Sequence, residues 1–292
     1  MYKRERATPE ELLAELQPKH KLPIWRTPTF RLSLVALLMI LLISSLRGQW
    51  GNRGKIPSVK NEAQAELEKL KKAPLKSSED YYLRAEVLRD HSHFSEAIDD
   101  YNRILKENPR SIKALALRAD SWTQLGQYAK AQADWTSILK RYPQDLTALN
   151  QRGVASLRLG QTAAARADFD LALRKHPQEA VLFANRGLSW LEAKNVTLAK
   201  TDLKKALALN PKLPESHFFW GRLQLAEDNP TEALKAFSNT LILNPEHIQA
   251  RYERGLLYNR LGPCKQARKD LQLACRLGDT RACKPLKCQA KS

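Results

Sequence analysis

The sequence predicts an all-α protein: a curved solenoid of stacked antiparallel helix pairs, preceded by one membrane-spanning helix. Three observations carry this. Small residues, large apolar residues and prolines recur every 34 residues from position 78 onward; an unbroken apolar run, LSLVALLMILLISSL, stands near the amino end; and all four cysteines fall after residue 263. Charged residues are 27% and hydrophobic ones 43% of the 292, which excludes disorder throughout and leaves room for one large domain or two small ones.

The formal charge of +18 is spread over leader, repeats and tail, and no segment has the layout of a DNA-reading motif. No nucleic-acid partner is expected.

Residues 1–27 form a tail on the near side of the membrane. Thr8 caps a short amphipathic helix, with Pro9 at its first position, Glu11 at its third, and Leu12, Leu13 and Leu16 following; Pro18 closes it. Residues 28–48 form the anchor. Thr27 caps it, Pro28 opens it and Gly48 ends it, and 21 residues at ~1.5 Å each reach ~31 Å, enough for the hydrocarbon core. Trp25, Phe30 and Trp50 then lie at headgroup depth, and Arg31 and Arg47 snorkel outward. Four glutamates in the leader, the lack of a small-x-small cleavage site and Arg47 directly after the run favour an uncleaved anchor over a signal peptide. Lys and Arg number seven in residues 1–31 and eight in 47–77, so the flanks do not set the orientation. Residues 49–77 read as a stalk with a Glu/Lys-rich helical stretch near Asn61 to Lys72, ended by Pro74.

Residues 78–281 carry the period. Prolines stand at 109, 143, 177, 211 and 245; alanines at 97, 131, 165, 199, 233 and 267; small residues at Ala85, Ala119, Gly153, Gly187, Gly221 and Gly255. Four after each alanine comes a large residue: Tyr101, Trp135, Phe169, Leu203, Phe237 and Leu271. Small residues on facing helices allow close approach, the large one fills the gap toward the neighbouring repeat, and proline stops the second helix. Segments such as LRLGQTAAARADFDLALRKHP and QLGQYAKAQADWTSILKRYP resemble the tetratricopeptide repeat, in six copies. The resemblance implies a right-handed superhelical solenoid whose first helices line a concave face that binds extended peptides or partner helices. The loop glycine of Gly126, Gly160 and Gly262 is Ser92, Lys194 and Asp228 in the other copies, and Asp279 replaces proline in the sixth.

A second recurrence joins Arg84, Arg118, Arg152, Arg186 and Arg254 to Asp100, Asp134, Asp168, Asp202 and Asp270, each sixteen residues later. The fifth copy has Trp220 and Ala236 and lacks both, so each arginine is expected to pair with the aspartate of its own hairpin. On the concave face the matching positions present Asn150, Val154, Asn185, Leu188, Phe218, Arg222, Tyr252, Leu256 and Asn259, an apolar lining with a few amides suited to a hydrophobic peptide. No lysine occupies the first-helix position that the carboxylate-clamp version of the family uses, in any copy, which argues against a C-terminal-acid receptor.

Nothing converges toward catalysis. The six histidines are scattered, His91 and His93 share a loop beside Asp90, and there is no phosphate loop or nucleophile elbow. No enzyme activity, cofactor or metal is expected. The cysteines are Cys264, Cys275, Cys283 and Cys288; their spacing lacks the close pairs typical of a structural zinc site or a thiol oxidoreductase, and zinc binding and free thiols are the alternatives to disulfides. ACRLGDTRAC resembles cysteine-stapled helical hairpins of secreted bacterial solenoid repeats, which implies a Cys275–Cys283 bridge; a second, Cys264–Cys288, would tie residues 282–292 back as a cap. Disulfides place the solenoid in an oxidising space. The expected protein is thus a single-pass inner-membrane scaffold or chaperone-like adaptor with a periplasmic solenoid, binding protein or peptide partners, with bilayer contact through 28–48. The alternatives are an organelle-surface import receptor with a cytosolic solenoid and an accessory subunit of cytochrome c haem attachment.

Overall fold

The computed structural model describes residues 77–284, together with Glu68 and Leu75. The leader helix, the 28–48 anchor, nearly all of the stalk and the tail from 285 onward, with Cys288, lie outside the described residues. Among those described there are twelve α-helices, one 3-10 turn and no strand, and no helix is long and apolar enough to cross a membrane.

The helices run in six hairpins. The first helix of each is α1 (Ser78–Asp90), α3 (Ile112–Gln124), α5 (Leu146–Arg158), α7 (Ala180–Glu192), α9 (Pro214–Ala226) and α11 (Ile248–Leu261). The second is α2 (Phe94–Glu107), α4 (Tyr128–Arg141), α6 (Thr162–Lys175), α8 (Val196–Leu209), α10 (Pro230–Leu243) and α12 (Cys264–Arg276). Each helix packs against the next in sequence, and α7 also packs against α9. Oxygen-bearing side chains start several first helices: Ser77, Ser111 and Asp145 accept from the backbone N–H three residues on, satisfying a donor that has no partner within the helix.

The turn inside every hairpin needs one left-handed residue. Gly126 and Gly160 supply it at φ 70° and 74°, and Gly262 at 109°; Ser92, Lys194 and Asp228 adopt it at 63°, 60° and 55°. The three departures from glycine therefore keep the turn and bear its backbone strain.

The small-to-large spacing works inside the hairpin, which corrects the expectation that the large residue faces the neighbouring repeat. A Cβ on Gly153 would lie 2.5 Å from a ring carbon of Phe169, and one on Gly221 2.5 Å from Phe237. Both rings are fully buried. The missing methyl is what lets the facing helices close over the ring. One core cluster runs from Ala85 to Leu182; smaller ones form around Leu203 with Leu223, around Phe237, and around Leu271 with Ala282.

At the carboxyl end, the 3-10 turn Thr280–Cys283 folds back on α12. Asp279, in the register position of proline, accepts from the Arg281 backbone N–H, so the exchange of proline for aspartate starts this turn.

Candidate functional site

The periodic charges form a bidentate ladder. Nε and Nη2 of Arg84 donate to Asp100 at 2.9 and 2.5 Å, and those of Arg118 to Asp134 at 2.8 and 2.6 Å. The same fork joins Arg152 to Asp168, Arg186 to Asp202 and Arg254 to Asp270, with all distances between 2.6 and 3.0 Å. All five carboxylates are buried. The bonds to Asp100, Asp168 and Asp202 hold the guanidinium pKa values of Arg84, Arg152 and Arg186 above their ordinary range.

The third guanidinium nitrogen was not anticipated from the sequence. Nη1 of Arg118, Arg152, Arg186 and Arg254 donates to Asn102, Thr136, Asp170 and Ser238 at 2.7, 3.5, 2.6 and 3.2 Å. Each acceptor lies sixteen residues earlier, in the preceding hairpin, so each of these arginines ties two repeats together. In the fifth copy that acceptor position holds Lys204, which offers no oxygen to an arginine and would repel it. Lys204, Trp220 and Ala236 thus depart from the ladder as a set of three.

The residues expected to line a groove are not brought together as one ligand-ready surface. Phe218 is a core residue: it is 5% exposed and packs on Phe219, Phe237 and the His247 ring, whose centroid is 4.7 Å away. Asn185 is buried as well and donates to Asn150 at 2.8 Å, so both amides are engaged between neighbouring first helices. Tyr252 packs beside the Leu271–Ala282 cluster with the Arg281 guanidinium 4.3 Å above its ring, which commits it to the terminal cap. Arg222 donates to Glu192 at 3.0 Å, bridging α9 and α7. Val154 and Leu188 are half-buried, Val154 against the main core, and Leu256 is exposed. Asn259 is half-buried, and its Oδ1 is buried without a hydrogen-bond partner among the described residues.

Further inter-repeat contacts run along the first helices. Arg89 meets Asp120 at 4.0 Å, Lys113 meets Glu86 at 4.0 Å, and the Lys113 ammonium stands 4.5 Å over the Tyr82 ring. Burial pushes the carboxyls of Asp120 and Glu253 up, against the charges of Arg89 and Arg222 respectively. Two shallow clefts of about 530 Å³ are present, one beside Cys275 and Cys283 and one between α3 and α4 near Pro109. His93 pairs with Glu96 and His91 with the Val87 carbonyl, and the described residues contain no group of three metal-ligating side chains.

The terminal staple is built. Cys275 on α12 is bonded to Cys283 at the end of the 3-10 turn. Cys264 is disulfide-bonded too, with its partner outside the described residues, and no described cysteine is free. Arg281 adds a salt bridge to Asp279 at 2.7 Å, and that guanidinium holds the Asp279 carboxyl below its ordinary range.

No curated protein matches the chain. Solved structures share its fold. A thermophilic TPR protein of Thermus thermophilus is 24% identical, with a TM-score of 0.54, over 62% of this chain and 98% of that one. PilW, a widely conserved type IV pilus biogenesis factor, is 20% identical with a TM-score of 0.56 over 72% and 97%. MamA 41-end from Desulfovibrio magneticus RS-1 is 18% identical with a TM-score of 0.50 over 60% and 99%. The tetratricopeptide repeat model matches residues 82–131, 124–180 and 220–282, more than half of the chain. With the six hairpins and their small-to-large packing, this match makes the chain a member of the tetratricopeptide repeat family.

Proposed function

We propose that this tetratricopeptide protein is a membrane-anchored scaffold or chaperone-like adaptor. Its solenoid stands in an oxidising compartment, the bacterial periplasm, and gathers polypeptide partners for envelope assembly. The Cys275–Cys283 disulfide is the observation that carries the compartment, because such bridges persist outside reducing cytosol. Residues 28–48 supply the anchor in this reading, residues 1–27 the cytoplasmic tail, and residues 49–77 the connection to the repeats. Partner contact falls on the first-helix surface, where the exposed Leu256 and the half-buried Val154 and Leu188 offer apolar contact beside paired charges.

A thiol-alkylation peptide map of the protein in its native membrane, with and without reduction, tests the compartment. The expected result is a Cys275–Cys283 bridge released only by reductant. Alkylation of all four cysteines without reduction would place the solenoid in the cytosol and favour an import-receptor role. A photoreactive residue at Leu256 tests partner contact: it should capture a discrete polypeptide, and the same probe at the buried Phe218 should not.

A further inference from the structure

Arg110, Lys140 and Arg141 stand together at one edge of the array with no acid to answer them. The chain passes from the first hairpin to the second through the turn at Pro109, and there the start of α3 and the end of α4 line one cleft of about 530 Å³. The three cations line it too. All are exposed, and none forms an ion pair among the described residues. The carboxylates that follow or precede them most closely in the chain are committed elsewhere: Asp145 accepts the Ala148 N–H as the cap of α5, and Glu107 accepts from the Ser78 hydroxyl.

The rest of the lining is largely apolar. Leu115 and Ile138 are buried, at 7% and 2% exposure, and form the floor; Ile112 at the rim is 38% exposed. In the other hairpins the position of Ile112 holds Ser78, Leu146, Ala180, Pro214 or Ile248, none of which is exposed.

The helix dipole explains part of the charge. It favours a cation at a helix carboxyl end, and Lys106, Arg174 and Arg276 share the register position of Lys140. It does not explain Arg110, which stands in the turn beyond α2 where later copies have Gln144, Gln178, Lys212 and Glu246. No other copy carries a cation at all three positions.

We infer that this cleft binds an acidic-aliphatic segment of a polypeptide partner, with side-chain carboxylates on Arg110, Lys140 and Arg141 and an aliphatic side chain seated on Ile112, Leu115 and Ile138. Charge-assisted bonds to the guanidinium groups orient the segment, and the apolar floor takes its anchor. The recess suits a peptide better than a bilayer: a flat anionic surface meets protruding cations and leaves a sunken apolar floor unused. The site is separate from Leu256 on α11, so it is a second contact surface, and it holds in either compartment.

Fluorescence anisotropy on the full chain in neutral detergent tests this, with a labelled peptide of alternating glutamate and leucine, amidated at its carboxyl end so that only side-chain carboxylates are offered. The peptide should bind saturably, and more weakly as salt rises. The triple variant Arg110→Gln, Lys140→Gln, Arg141→Gln should weaken binding about tenfold or more, and Ile112→Ser about threefold or more. Removing as many charges elsewhere, with Lys204→Gln, Lys205→Gln, Lys212→Gln, should change it less than about twofold. A peptide of alternating glutamate and serine should bind about tenfold more weakly. All seven substituted side chains are exposed, so the fold is retained in each variant. Absence of saturable binding, equal losses in the two charge variants, or equal affinity for the two peptides would overturn the assignment. So would slower amide exchange at the start of α3 when phosphatidylglycerol replaces phosphatidylcholine in vesicles holding the full chain, without peptide binding, since the cleft would then be a lipid surface.

Discussion

Asp168 accepts both Nε and Nη2 of Arg152, at 2.9 and 2.6 Å, from a helix that begins only after the hairpin turn. The carboxylate is 6% exposed, so the pair closes the hairpin in a place where neither charge could stand alone. Removing one partner of a buried pair costs more than the pair itself contributes, because the other charge is left desolvated. Arg152→Ala should therefore lose about 3–5 kcal/mol of stability in chemical denaturation. The fifth hairpin does without charge at these two register positions: they hold Trp220 and Ala236, and Trp220 packs against the Ala199–Leu203–Leu223 cluster. Transplanting that solution as Arg152→Trp with Asp168→Ala should cost less than half of what Arg152→Ala costs. Equal losses would mean that packing of the arginine stem, and not the stranded carboxylate, sets the penalty.

The hairpin turns yield a prediction of opposite sign. Lys194 holds φ at 60°, a region that costs a side chain but not a glycine. Lys194→Gly should stabilise the protein by about 0.5–1 kcal/mol. Gly160 is the reverse case: at φ 74°, a Cβ there would have no atom within 4 Å, so Gly160→Ala meets no steric obstacle. Its loss, about 1 kcal/mol, would be wholly conformational. Thermal midpoints of the two variants should move in opposite directions; movement in the same direction would show that the turn is not held in the left-handed region in solution.

The parts of this molecule that the sequence made legible are those where one residue type answers one need. Alanine or glycine for close approach, a large apolar residue to fill a hairpin, and arginine with aspartate for a bidentate pair all recur as identities, so a period of 34 reveals them. The third guanidinium bond escaped because its acceptors are Asn102, Thr136, Asp170 and Ser238, four residue types that share only an oxygen. Phe218 was misread for a different reason. It shares its register position with the half-buried Asn150 and the buried Ala184, and it is itself buried with the His247 ring of the next hairpin against it. No repeat pattern encodes the identity of that single neighbour.

His247 makes the junction of the fifth and sixth hairpins sensitive to acid. Its Nδ1 accepts the Ala250 N–H at 3.1 Å as the cap of α11, an office that protonation of this nitrogen would end. Burial holds its pKa below the ordinary histidine value, with the Glu215 charge opposing the shift. A folded-state pKa below the unfolded one means that the unfolded chain takes the proton first. The stability that neutral His247 contributes is therefore present above about pH 6.5 and is lost as pH falls from there through the folded-state value. His247→Asn keeps a cap acceptor without a titrating group, and it should flatten that part of the stability curve. An unchanged slope between pH 7 and 5 would place the acid sensitivity on other groups.

The staple at the carboxyl end should act locally. Cys275 and Cys283 close a loop that holds Ala282 over Leu271 and Ala274, the apolar surface that the last hairpin would otherwise show to water. A bridge of this kind contributes about 2–4 kcal/mol, chiefly by restricting the unfolded chain. The Arg281–Asp279 pair and the Tyr252 ring beneath Arg281 also hold the turn, so it should loosen on loss of the bridge without leaving altogether. In a Cys275→Ser, Cys283→Ser variant, amide exchange should rise across α11, α12 and the 3-10 turn and remain at parental rates in α1 to α6. Each repeat rests on its neighbours alone, and the distant hairpins share no contact with the staple. Exchange rising equally in all twelve helices would mean that the six hairpins unfold as one unit, and that the cap governs the stability of the whole array.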